Sequence, residues 1–174
     1  MGNLKKEFEK CKHPNSRRIK SVSKKAKRMN NKHKKQLGHA IKSNMMGEKL
    51  SWFLGQIEED RAEPLTPQEF IDLIDEYLHR FDDELEQIKI KQSISKNRST
   101  QHFARESAIK MTLDREVGEF NGGGMEFLNL CDPIKFKSLM DWDGNAINIQ
   151  HLKFELISRG SLERLKAKGE MDIE

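Results

Sequence analysis

Cysteine is almost missing from this 174-residue sequence. Cys11 and Cys131 lie far apart with no second cysteine beside either. That spacing excludes a disulfide framework and a zinc ribbon, and it suits a reducing compartment. No apolar run approaches the roughly 18 residues that a membrane span needs, and the first residues lack the apolar stretch of a signal peptide. Neither membrane insertion nor secretion is therefore expected. Proline occurs four times, at Pro14, Pro64, Pro67 and Pro133, which leaves 15–63 and 68–132 free of helix breakers. Between Phe8 and Trp52 there is no aromatic residue, and between Lys10 and Asn44 there is no carboxylate.

That last absence shapes everything else. Residues 10–44 carry thirteen Lys or Arg residues with no Asp or Glu among them. The whole-chain net charge of +4 conceals a split: 15 basic and 2 acidic residues in 1–44, a balance of +13, against 17 and 26 in 45–174, a balance of −9. Such asymmetry implies an arm that seeks polyanions joined to a body that does not. Lysine and arginine displace counterions from a phosphate backbone without needing fixed side-chain geometry. The candidate contacts are His13, Arg17, Arg18, Lys20, Lys24, Lys25, Lys27, Arg28, Lys32, Lys34, Lys35 and Lys42. With no aromatic to stack a base, the arm reads as a tracker of the backbone. Lys24-Lys25-Ala26-Lys27-Arg28 also has the form of a nuclear import signal.

The arm has a helical period. Ile19, Val22, Ala26, Met29, His33, Leu37, Ala40 or Ile41, and Met45 recur every three or four residues, a thin apolar stripe on a helix from about Ser16 to Leu54. Like charges at i,i+4 oppose this helix in isolation, so its N-terminal half is expected to fray until phosphates neutralise it. A second helix opens at Thr66-Pro67-Gln68-Glu69, which has the pattern of a capping box, and is expected to run from Pro67 to about Lys91. Its apolar face is Phe70, Ile71, Ile74, Tyr77, Leu78, Phe81, Leu85 and Ile88. Its other face is acidic, with 12 carboxylates and 2 arginines between Glu58 and Glu86. A third helix carries Ala104, Ala108, Ile109, Thr112, Leu113, Val117 and Phe120 on one side and stops at Asn121-Gly122-Gly123-Gly124. Asp132-Pro133 starts a short fourth that presents Phe136, Leu139 and Met140. Past Gly144 both a strand alternation and a helix are permitted, and from Gly160 a mobile tail is expected.

The fold class is thus all-α: a long basic N-terminal helix or arm (1–44), a small helical domain of about three helices (45–159), an irregular C-terminal segment, and a flexible tail (160–174). Trp52, Phe53, Tyr77, Phe81 and Trp142 are the expected core or docking residues. Lys96, Arg98, Arg105 and Lys110 form a possible second RNA contact. No catalytic, cofactor or metal site is expected. Gly122-Gly123-Gly124 follows a helix and lacks a Walker lysine. Cys11-Lys12-His13 has no matching pair at zinc spacing. Asp82-Asp83-Glu84 fan around a helix and cannot converge on one substrate atom.

A run of short motifs adds a resemblance. They are His13-Pro14-Asn15-Ser16-Arg17, Gly47-Glu48-Lys49-Leu50-Ser51-Trp52-Phe53, Tyr77-Leu78-His79-Arg80-Phe81, Glu84-Leu85-Glu86-Gln87-Ile88, Arg105-Glu106, Arg115-Glu116 and Trp142-Asp143. In this order the chain resembles the translation machinery-associated protein 16 family. The resemblance implies a mostly helical, non-enzymatic assembly factor of the large (60S) ribosomal subunit. It implies ribosomal RNA and ribosomal proteins of the pre-60S particle as partners, and the nucleus and nucleolus as location. No membrane partner is implied, and off the particle a monomer is expected. Composition by itself also admits a DNA- or chromatin-binding nuclear protein.

Overall fold

Ser16 starts the longest element of the chain. Its Oγ accepts the backbone N–H of Ile19 at 3.2 Å, satisfying one of the donors that every helix leaves open at its N-terminus. The structure, a computed structural model, describes residues 2–10, 13, 16–58, 60–94 and 102–171. After a short helix α1 (Gly2–Glu9), helix α2 (Arg17–Gln56) runs 40 residues without a break, about 60 Å at 1.5 Å per residue. The half expected to fray is helical throughout. The chain divides into two compact units, Met1–Met46 and Gly47–Glu174. In the first, Val22 is buried, whereas every residue from 31 to 42 is exposed.

The second unit takes its first core residues, Leu50 and Phe53, from the end of α2. Helix α3 (Pro67–Leu78) opens with the expected capping box: Glu69 N–H donates to Thr66 Oγ1 at 3.3 Å, and Glu69 Oε2 accepts Thr66 N–H at 2.8 Å. It does not continue to Lys91. It ends at His79, and a new helix α4 (Asp82–Ser93) begins after Phe81. No Gly or Pro forces this break. The last carbonyls of α3 accept the backbone N–H groups of His79 and Arg80 in a tightened final turn, and side chains add to them: Arg80 Nη1 donates to Tyr77 O at 2.9 Å, and His79 Nδ1 lies 2.8 Å from Asp75 O. Asp82, Asp83 and Glu84 then fill the first turn of α4, where the helix dipole favours negative charge.

Helix α5 (Phe103–Asn121) buries Ile109, Glu116 and Phe120. Ala104, Ala108 and Val117, expected on the apolar side, are exposed. The glycine stop leads into a strand that sequence did not announce. Strand β1 (Met125–Phe127) pairs antiparallel with β2 (Glu155–Ile157), with Met125 opposite Ile157 and Phe127 opposite Glu155. Gly124 sits at φ +103°, and a Cβ there would lie 3.0 Å from the Leu156 Cβ. Only glycine allows that approach. Helix α6 (Pro133–Met140) is capped by Asp132, which accepts the Ile134 N–H at 2.9 Å, and it buries Phe136 and Leu139 as its period predicts. A 3-10 turn (Asn148–His151) precedes β2.

The largest departure is at the C-terminus. Residues expected as a tail form helix α7 (Arg159–Met171), which packs on α3 and α5. Leu162 is fully buried. Arg159 donates to Asn121 Oδ1 at 3.1 Å, pairs with Asp75, and lies 5.0 Å from the centre of the Phe120 ring. Among the described residues no helix is long and apolar enough to cross a membrane.

Candidate nucleic-acid interface

A helix advances about 100° per residue, so spacing decides which cations of α2 share a side. Arg17, Lys20, Lys24, Arg28, Lys35 and Lys42 follow one another at intervals of three, four or seven. They line one side of the helix over about 37 Å. Arg18, Lys25 and Lys32 flank this row on one edge, and Lys27 and Lys34 on the other. All eleven are exposed, as is His13. The first turn holds no acidic residue, so Arg17, Arg18 and Lys20 stand where the helix dipole is also positive. Both features attract an anion.

In the second group, the two described cations are each paired with a carboxylate. Arg105 is held by Glu84 at 2.7 and 2.9 Å; this pairing holds the Glu84 carboxyl below its ordinary range. Lys110 donates to Glu106 Oε1 at 2.5 Å. Lys96 and Arg98 lie outside the described residues.

The expected aromatic core gathers in the second unit around Tyr77. Its ring lies 5.1 Å from Trp52 and 5.2 Å from Phe53, and Phe53 stacks 4.3 Å from Phe127. Phe53 is fully enclosed, while Trp52, Phe81 and Trp142 are half-buried. Charged groups close over this cluster. The Arg80 guanidinium lies 3.7 Å from the centre of the Tyr77 ring and 4.4 Å from that of Phe81. Its Nη2 is 2.8 Å from Glu116 Oε2, an ion pair by distance whose geometry falls short of a hydrogen bond. Tyr77 OH donates to Glu116 Oε1 at 3.2 Å. Burial, then the neighbouring Glu116, raises the Tyr77 pKa, so the phenol stays a donor. Lys49 Nζ hangs 5.4 Å above Tyr77 and 5.3 Å above Phe127. Burial lowers its pKa to about 8, against the pull of Glu116 and Glu119.

Comparison with known proteins joins these two regions. The family model for translation machinery-associated protein 16 matches residues 8–159. The chain is 63% identical to the translation machinery-associated protein 16 homolog of Drosophila melanogaster, over 97% of this chain and 94% of that protein. It is 35% identical to translation machinery-associated protein 16 of Xenopus laevis, over 86% of this chain and 76% of the relative, and 33% identical to that of Danio rerio, over 90% and 76%. The chain belongs to the translation machinery-associated protein 16 family.

The family match takes in the arm and most of the body, and it runs past Trp142-Asp143 to residue 159. Three of the short motifs noted in the sequence meet in space: Lys49, Trp52 and Phe53 from α2, Tyr77, Arg80 and Phe81 from the α3–α4 junction, and Glu116 from α5. Gly47 belongs with them for a steric reason, since a Cβ there would lie 3.3 Å from Ile149 Cδ1 and 3.4 Å from Ala146 Cβ. The turn that leans on Gly47 is tied by Asp143, which accepts Asn145 N–H at 3.0 Å and Asn148 Nδ2 at 2.7 Å. Trp142 Nε1 donates to Asn145 O at 3.1 Å. Sequence reasoning singled out the aromatics but missed Lys49, Arg80, Glu116 and Phe127 as their partners. A charged residue on an otherwise apolar helix face, as Glu116 is on α5, was the available signal. Among the described residues no cluster of His, Cys, Asp or Glu is placed to hold a metal ion.

Proposed function

We propose that this chain is a non-enzymatic assembly factor that binds nuclear precursors of the large ribosomal subunit through ribosomal RNA and ribosomal proteins, in the nucleus and nucleolus. One observation carries the reading: a single helix displays Arg17 to Lys42 to solvent, without a carboxylate between Lys10 and Asn44. Membership of a family named for its association with the translation machinery supports ribosomal RNA as the polyanion. Function is then occupancy, with the cations tracking the RNA backbone while the body docks on neighbouring protein or RNA.

Two measurements test it. Crosslinking of the tagged chain to RNA in cells, followed by mapping, should place the contacts on large-subunit ribosomal RNA, and in gradients the chain should sediment with pre-60S particles. Replacing Lys24, Lys25, Lys27 and Arg28 with Gln should weaken RNA binding and flatten its salt dependence, each lost phosphate contact lowering the slope by about one. Unchanged affinity and slope would refute the role of the arm. Co-migration with nucleosomes alone would favour a chromatin binder.

A further inference from the structure

The apolar stripe of α2 does not serve a phosphate backbone, and part of it is bare. Leu37, Ile41 and Met45 are 62%, 51% and 54% exposed. Spaced at i, i+4 and i+8, they make a continuous apolar edge about 12 Å long. The stripe is closed at its other end, where Val22 is 5% exposed and Ile19, Ala26 and Met29 are half-buried. Lys34, three residues before Leu37, and Lys42, three before Met45, border the bare edge and are exposed.

We propose that this edge is a docking site for an acidic protein that offers an apolar, carboxylate-rimmed groove to a helix. Three arguments select that occupant. RNA offers phosphates and flat π faces, and neither rewards two aliphatic side chains and a thioether; base stacking uses aromatics, which the arm lacks. A second copy would bring the same stripe within the same cationic segment, +13 over residues 1–44, so like charges would oppose pairing. An acidic groove satisfies both features together, taking the three apolar anchors inside and pairing its rim with the lysines. That is the helix-in-groove mode, read as i, i+4 and i+8 anchors. The helix then has two readers, a polyanion along its cationic row and a protein along its apolar edge. This holds whichever nucleic acid the cations meet.

Calcium-loaded calmodulin, an acidic protein with a methionine-rich groove, is the probe. Titration of the nuclease-treated full chain with it, followed by calorimetry, should give a dissociation constant in the micromolar range or below. The triple variant Leu37→Gln, Ile41→Gln, Met45→Gln should bind at least tenfold more weakly, with RNA affinity and salt slope unchanged. The single variant Ile41→Lys, which adds positive charge yet removes an anchor, should also weaken binding; circular dichroism checks that both remain helical. The proposal is overturned if calmodulin does not bind, if the variants bind as tightly as the parent, or if the stripe governs binding to anionic phosphatidylserine vesicles and not to calmodulin. Loss of RNA binding in the Lys24, Lys25, Lys27 and Arg28 variant, with calmodulin binding lost only in the stripe variants, would separate the two sites.

Discussion

Replacing Glu116 with Ala should be among the most damaging single changes in the body of this protein. Glu116 and Arg80 have side chains only 10% and 13% exposed and stand 2.8 Å apart. Glu116 also accepts the phenol proton of Tyr77. Truncation leaves the Arg80 guanidinium without its counter-charge and a buried hydroxyl without an acceptor. Breaking a buried pair by removing one partner costs about 3–5 kcal/mol, and an orphaned hydroxyl accounts for about 1–3 kcal/mol of such a loss. A folded unit of this size has about 5–15 kcal/mol in total, so the change removes a large share. Trp52 and Trp142 are the two tryptophans, and both lie in the Gly47–Glu174 unit. Tryptophan fluorescence during urea unfolding therefore reports this unit alone. The midpoint should fall by about 2 M, given a slope of about 2 kcal/mol per M. Arg80→Met combined with Glu116→Leu should lose less than the sum of the two single changes, with a coupling of about 1–3 kcal/mol. A loss below about 1 kcal/mol for Glu116→Ala, or strict additivity in the double variant, would refute the argument.

Leu162→Ala should cost about 2–5 kcal/mol in the same assay, because Leu162 is enclosed although it lies in the segment read as a tail; an unaltered midpoint would mean α7 does not belong to the folded unit. The Lys49 ammonium is disfavoured in the folded state, with a pKa of about 8 against 10.5. The unfolded chain thus binds more protons between those values, and stability should rise with pH across that window by at most about 1.4 kcal/mol per unit. The difference between the parent and Lys49→Met should show this slope, and a flat difference from pH 8 to 10.5 would contradict it. Glu69 is shifted the other way, to about 2 from 4.5, first by the Thr66 N–H and then by Arg61. Its stabilisation should be complete above pH 4.5 and lost as the pH falls towards 2, so Glu69→Gln should be less stable than the parent at pH 7 and equal to it near pH 2 in thermal melts.

The sequence by itself determined the charge split, the long arm helix, the capping box at Thr66 and the N-cap at Asp132, and the aromatics of the core. Each of these is local: a run of lysines, an apolar period of three to four, or a Ser, Thr or Asp placed before a helix is complete within a few residues, and burial elsewhere does not change it. Tertiary structure decided the rest. The α3–α4 break follows from Arg80 turning back onto Tyr77 and Glu116, 39 positions further along the chain from that tyrosine. Helix α7 is held by Leu162 and by Arg159 reaching Asp75, 84 positions away. Neither pairing is visible within a window of sequence, because composition assigns Arg80, Glu116 and Arg159 to solvent and only packing brings their partners close. The arm shows the same limit. Its stripe was legible from Ile19 to Met45, but that Val22 is covered while Leu37, Ile41 and Met45 are bare depends on what the fold places beside a helix, and periodicity carries no record of neighbours.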